Sequence, residues 1–128
     1  PPEVARALRD AGAFRGNLLS NPQRIPDAFP GLSWAGSIHY RTKAADMEYI
    51  AAELVNGPVI AEVAFYPQKS PQESQHFVLI VSVDLEADTA MIADPWDGEL
   101  KELTTSRYAL QGWKASRIIT GLRLVRLA

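Results

Sequence analysis

A histidine and an aspartate, His76 and Asp94, are the side chains in this sequence best spaced for acid–base chemistry. His76 begins the apolar, β-branched run 76–84, and Asp94 closes a second apolar run that starts at Met91. The short polar segment 85–88 between them predicts a β-hairpin, which returns both side chains to the same end of two neighbouring strands. A carboxylate that accepts a hydrogen bond from one imidazole nitrogen holds the ring in one tautomer and makes it a better base. This pair is therefore the first candidate for a catalytic site.

The register of this hairpin decides whether His76 and Asp94 lie on the same face of the sheet. Directly opposed residues in an antiparallel pair have a constant sum of residue numbers, and side chains alternate between the faces. The two side chains share a face only if that sum is even. A three- or five-residue loop, or a β-bulge, gives an even sum, and a plain two- or four-residue loop does not. The alternative without catalysis is that His76 only begins a strand and Asp94 belongs to an Asp-Pro turn.

The nucleophile that such a pair would activate is missing from these 128 residues. The sequence has no cysteine, which excludes disulfides, thiolate zinc sites and a cysteine nucleophile within it. No serine lies in a Gly-x-Ser-x-Gly strand–turn–helix motif, and Ser74 is too close in sequence to His76 to be its partner. The serines considered are Ser20, Ser33, Ser37, Ser74 and Ser116.

Metal and cofactor binding find little support in the residue pattern. His39 and His76 are the two histidines, and they lack the helical HExxH spacing. The segment Asp84–Asp88 resembles the start of a calcium loop, but Thr89 stands where glycine is required and Pro95 where the closing glutamate should be. We therefore predict no metal, no cofactor and a solvated hairpin tip.

The tryptophans offer a separate binding hypothesis. Trp34, Trp96 and Trp113 would suit a glycan-binding or structural protein if they clustered at the surface, whereas core packing is the general expectation for each. Trp96 follows Asp94 closely and, with Gln75, is the candidate for lining a substrate groove. Glu62, in an otherwise apolar strand, is expected to have a structural role.

Bulk properties narrow the class of protein. A chain of 128 residues, 47% of them hydrophobic, is large enough for one domain with its own core. A net charge of −2 and a pI of about 5.7 argue against a nucleic-acid binder. No apolar run reaches the roughly 18–20 residues of a membrane helix, so no membrane insertion is expected. No signal peptide opens the chain, and localisation stays unknown because an export signal can be removed or lie in a longer precursor.

Helical patterns dominate the first half of the chain and strand patterns the second. The helical segments are 2–12, 25–31 and 46–56; the last has Met47, Ile50, Ala51 and Leu54 on one face and stops at Gly57-Pro58. The strands are 32–40, 59–66, the hairpin, 99–103 and 118–127, the last interrupted by Gly121. A short helix or turn is predicted at 106–113. The pattern predicts a single α+β domain, 1–128, with helices packed on a largely antiparallel C-terminal sheet.

The order of these features resembles the papain-like cysteine peptidases, and in particular the bacteriocin-processing (double-glycine leader) peptidase family. The matching segments are Pro2-Glu3-Val4, Gly16-Asn17-Leu18-Leu19, Gly57-Pro58-Val59-Ile60, His76-Phe77-Val78-Leu79 and Asp94-Pro95-Trp96. The resemblance implies a papain-like fold, a peptide or protein substrate, His76 as general base and acid, and Asp94 as the carboxylate that orients it.

The sequence departs from that family in one respect that matters for activity. The family's nucleophilic cysteine and its oxyanion-hole glutamine lie upstream of the segment that Pro2-Glu3-Val4 resembles. Either this chain is the larger part of a peptidase whose first helix lies elsewhere, or it is an inactive relative that binds peptides or serves as an assembly module. In the first case an N-terminal segment or a partner chain would cover an exposed apolar groove. By analogy, the setting would be bacterial export, the cell envelope or a phage particle.

Overall fold

The computed structural model describes residues 6, 10–12, 22–40, 43–65, 67–68 and 75–127. Its helices are α1 (Ile25–Ala28), α2 (Met47–Glu53) and α3 (Ala115–Ile118), with 3₁₀ turns at Pro22–Arg24, Leu54–Asn56 and Leu103–Thr105. Its strands are β1 (Leu32–His39), β2 (Val59–Ala64), β3 (Gln75–Asp84), β4 (Thr89–Ala93), β5 (Leu100–Glu102) and β6 (Ile119–Leu127). Within these ranges, no helix has both the length and the hydrophobicity that crossing a membrane requires. The predicted helix 2–12 lies outside the described residues except for Arg6 and 10–12.

The six strands form one antiparallel sheet in the order β1-β6-β2-β3-β4-β5. The predicted mixed α+β class with an antiparallel sheet is therefore confirmed. The predicted separation of helices from strands along the chain is wrong in two places. β1 precedes α2, and α3 lies between β5 and β6. β1 belongs to the sheet because β6 provides a full-length partner for it, from Leu32 opposite Leu127 to His39 opposite Gly121.

One face of the sheet, here called the inner face, carries the core. It presents Val63, Val78, Ile80 and Ile92, and all four side chains are buried. α2 covers this core with Met47 and Ile50, as its apolar stripe predicted. The Asp46 carboxylate caps α2 by accepting a hydrogen bond from the Tyr49 N–H at 3.1 Å. The chain then leaves the helix at Gly57, whose φ of 118° lies in the region that favours glycine.

The opposite face, here called the outer face, holds a buried ion pair. Arg123 on β6 donates from Nη2 to Glu62 Oε2 on β2 at 2.7 Å, and the Thr120 hydroxyl donates to Glu62 Oε1 at 2.9 Å. The expected structural role of Glu62 is confirmed by these contacts. The predicted interruption of the last strand at Gly121 is wrong, because β6 runs continuously through it. A Cβ at Gly121 would lie 2.9 Å from the Ile38 carbonyl oxygen and 3.2 Å from Arg123 Nη1, so close packing excludes a larger residue.

Candidate active site

β3 and β4 form the predicted hairpin, and a β-bulge brings His76 and Asp94 to the same face. The loop between the strands has four residues, and Asp84 pairs with Thr89, which gives an odd sum of residue numbers. The register shifts between Ile80 and Ser82, after which Ile80 pairs with Ile92 and the sum is even. The bulge is one of the two geometries that the sequence required. His76 and Asp94 consequently both belong to the inner face.

The two side chains make the predicted contact. His76 Nε2 lies 3.3 Å from Asp94 Oδ1. The His76 side chain keeps 17% of its surface exposed, whereas the Asp94 side chain is completely buried. A carboxylate only accepts hydrogen bonds, so Nε2 carries the proton in this contact when the imidazole is neutral. The lone pair is then on Nδ1, which is the nitrogen available to accept a proton.

Asp94 is held by donors on both of its oxygens. Oδ1 also accepts a hydrogen bond from the Trp96 N–H at 2.9 Å, and Oδ2 accepts one from the Tyr108 hydroxyl. Lys101 Nζ lies 3.5 Å from Oδ2. Burial by itself raises the pKa of Asp94, but the hydrogen bonds from Tyr108, Trp96 and His76 outweigh burial and leave this pKa below its usual value. The carboxylate therefore stays ionised and fixed in orientation beside the imidazole.

Tyr108 is the site residue that the sequence pattern did not identify. Its side chain is fully buried, and its ring stacks on the His76 ring with 5.2 Å between centroids and 24° between planes. Burial and the neighbouring Asp94 raise the pKa of Tyr108, so its hydroxyl remains a hydrogen-bond donor. The segment 106–113 consists of turns after the 3₁₀ turn Leu103–Thr105, one of the two forms predicted. Nothing in its spacing points from Tyr108 to Asp94; the one signal is an aromatic residue in a turn segment.

Aromatic side chains line the exposed side of His76. The Phe65 ring contacts the His76 ring edge-on at 5.0 Å between centroids, and the Trp96 ring lies 5.5 Å from Phe65 and 6.5 Å from His76. Trp96 is 66% exposed, so one of its faces is open to a ligand. Trp96 thus lies where a groove residue was predicted. Gln75 does not, because it is adjacent to His76 on β3 and therefore points to the outer face.

The three tryptophans do not form a common surface. Trp34 is on β1 at one edge of the sheet, and Trp96 follows β4, next to the opposite edge. Trp113 packs against the core, and the Arg117 guanidinium carbon lies 4.4 Å from its ring centroid. The sheet order therefore removes the arrangement on which a glycan-binding surface of three tryptophans would depend.

The hairpin tip and the serines have structural contacts. The backbone N–H and the hydroxyl of Ser116 both donate to the carboxylate of Asp88, so the tip is tied to α3 and the prediction of a fully solvated tip is wrong. Ser33 donates to the backbone of Arg126 at 3.4 Å. Ser20 and Ser74 lie outside the described residues. Over the part of the chain that is described, no three carboxylate or histidine side chains come together as a metal site needs.

Exposed apolar side chains are concentrated on the outer face of the sheet, away from His76. Leu79 is 39% exposed, Met91 38% and Leu100 67%, and strand pairing places the three on that face. This outer-face surface therefore does not contribute to a groove at His76.

Comparison with known proteins gives no match to this chain among family models, curated proteins or solved structures.

Proposed function

We propose that this domain supplies the histidine and aspartate of a papain-like cysteine peptidase, with the thiol provided by a residue outside these 128. The observation that carries the proposal is the His76–Asp94 contact. One ring nitrogen is held by a buried, ionised carboxylate, and the other is available on a partly exposed ring. A strand-borne histidine oriented by an aspartate at the end of the neighbouring strand is also the arrangement that the family resemblance implies.

In this mechanism His76 acts as general base and then as general acid. The imidazole Nδ1 removes the proton from a cysteine thiol, and the thiolate forms a bond to the carbonyl carbon of the substrate peptide. The imidazolium then returns the proton to the amine nitrogen as the C–N bond breaks. Water, deprotonated by the same nitrogen, hydrolyses the thioester. Asp94 stays ionised throughout and stabilises the imidazolium, because its pKa is held low.

Tyr108 and the aromatic side chains support this chemistry without taking part in proton transfer. The Tyr108 hydroxyl occupies Asp94 Oδ2, so that Oδ1 faces His76 and the Trp96 N–H. Phe65 and Trp96 exclude water from part of the imidazole, which strengthens its contact with the carboxylate.

A second candidate function is peptide binding without cleavage, as a peptidase-like binding or assembly module. The observation that favours it is the composition, which contains no cysteine. The open face of Trp96 beside His76 would serve a binding site equally well.

Thiol labelling of the native polypeptide distinguishes the two functions. The whole polypeptide is treated with an iodoacetamide probe at neutral pH, and any adduct is located by mass spectrometry. If the peptidase proposal is correct, a cysteine outside this sequence is labelled, and His76→Ala slows labelling at least about tenfold because the thiolate loses its base.

His39→Ala is the matched control, since His39 is exposed on β1 and is not in contact with Asp94. It should leave the labelling rate unchanged. Labelling that is indifferent to His76, or no labelled cysteine, would contradict the peptidase proposal and leave the binding function.

A further inference from the structure

Arg107 presents an unneutralised positive charge beside His76. Its guanidinium carbon lies 4.2 Å from the Phe65 ring centroid and 5.9 Å from the Trp96 ring centroid. Both rings also lie against His76. The guanidinium is therefore held on the same aromatic cluster that lines the candidate site, and its side chain is exposed to solvent.

The other cations that could serve this role are already paired. Lys101 Nζ lies 2.5 Å from Asp97 Oδ2 and 3.5 Å from Asp94 Oδ2. Arg123 is bonded to Glu62 on the outer face. Among the residues that the structure describes, Arg107 has no carboxylate within ion-pair distance, and its contacts are the two rings.

Stacking leaves the hydrogen-bonding capacity of Arg107 unused. A guanidinium that lies on an aromatic ring uses its flat face, and its N–H groups remain in the plane for an acceptor. Their fork matches a carboxylate, which can accept two parallel hydrogen bonds. Two aromatic contacts restrict the side chain in advance, so less conformational entropy is lost when an anion binds.

We propose that Arg107, supported by Phe65 and Trp96, is a carboxylate-binding subsite that selects acidic peptides at the His76 site. The contact distances put the guanidinium within about 9 Å of the imidazole, and an extended peptide advances about 3.3–3.6 Å per residue. The carboxylate therefore belongs to a residue up to three positions from the peptide bond beside His76. The inference rests on the proposed peptide-directed function and names its substrate class. The carboxylate is either an acidic side chain or the free C-terminus of the peptide.

The test is an NMR titration of the ¹⁵N-labelled native polypeptide, read at the Trp96 indole N–H, which is assigned by Trp96→Phe. Three probes separate the sources of the carboxylate: N-acetyl-Gly-Glu-Gly-amide, N-acetyl-Gly-Gln-Gly-amide, and N-acetyl-Gly-Gln-Gly with a free C-terminus. We expect at least one of the two carboxylate peptides to bind about fivefold to tenfold more tightly than the neutral peptide. A preference for the first probe assigns the site to a side chain, and a preference for the third assigns it to the chain terminus.

Arg107→Gln should abolish this preference, and Arg107→Lys should retain only part of it, because lysine keeps the charge but lacks the fork. Arg117→Gln is the matched control, since Arg117 also stacks on a tryptophan but on Trp113; it should leave the preference intact. Equal binding of the three peptides, no binding, or a preference that survives Arg107→Gln would overturn the proposal. Thiol labelling uses no peptide and this titration needs no catalysis, so failure of one does not imply failure of the other.

Discussion

Two buried carboxylates on opposite faces of the sheet show what separates a structural ion pair from one that can exchange a proton. Glu62 on the outer face is paired with Arg123, and Asp94 on the inner face is paired with His76. Arginine stays charged in proteins, whereas histidine changes its charge near neutral pH. The first pair therefore holds the sheet together, and the second is the one suited to acid–base chemistry.

The two pairs also differ in what remains unsatisfied. Arg123 donates to Glu62 and to the Leu122 carbonyl, and the side chains of Arg123 and Glu62 are 9% and 8% exposed. His76 is 17% exposed and uses one ring nitrogen for Asp94. A buried charge is thus a poor guide to function, and a free nitrogen at the solvent boundary is a better one.

The largest effect is expected from breaking the structural pair. Arg123→Met leaves the Glu62 carboxylate buried without its cation, and we expect the free energy of unfolding to fall by about 3–5 kcal/mol. Urea denaturation measures this change. The double variant Glu62→Leu/Arg123→Met removes both charges and should recover most of the loss. A loss below about 1 kcal/mol in the single variant would show that the pair does not stabilise the sheet.

A smaller loss is expected from crowding the same pair. Gly121→Ala places a methyl group against the Ile38 carbonyl and the Arg123 guanidinium, and overpacking of this kind costs about 1–3 kcal/mol. Gly31→Ala is the control, because a Cβ there meets nothing within 4 Å, and it should change stability by less than about 0.5 kcal/mol. Equal urea midpoints for the two variants would contradict the close approach.

On the inner face, Tyr108→Phe removes a donor from a buried carboxylate oxygen. We expect a loss of about 1–2 kcal/mol in the free energy of unfolding, because Asp94 Oδ2 is left without the hydroxyl. A double-mutant cycle with Asp94→Asn should show coupling between the two residues. Additive effects in that cycle would mean that the hydroxyl and the carboxylate do not stabilise each other.

The smallest effect is a change in the acid dependence of stability. The pKa of Asp94 is lowered in the folded chain, so its contribution is complete above the unfolded value of about 3.9 and is lost as the pH falls through the folded value. Asp94→Asn should therefore make the fall in unfolding free energy between about pH 4 and pH 2 shallower than in the wild type. Asp27→Asn alters only an exposed surface pair with Arg24 and should leave the slope unchanged. Identical slopes for wild type and Asp94→Asn would rule out this role.

Much of the inner-face site was predictable because its parts lie in one hairpin. The apolar runs and the polar turn predict β3 and β4, and strand alternation states in advance that the register sum must be even if His76 and Asp94 are to meet. The position of the bulge between Ile80 and Ser82 was not predictable. Two arrangements satisfied the same requirement, and the choice depends on how the strands pack against α2 and β5.

The neighbours of the pair were beyond prediction for a different reason. Tyr108 and Arg107 reach His76 from the segment after β5, and Phe65 reaches it from the end of β2. Contacts between such distant segments leave no periodicity in the sequence. The aromatic cluster, and the charge held on it, become visible once the sheet has assembled.

By itself the sequence determined the class of fold, the hairpin, the end of α2 at Gly57 and the pair His76 and Asp94, because hydrophobic alternation and backbone restrictions act over a few residues. The tertiary structure alone decided which carboxylate faces an arginine and which faces a histidine. Sheet order and register assign each side chain to a face, and burial then requires every charge on that face to find its partner from another strand or loop.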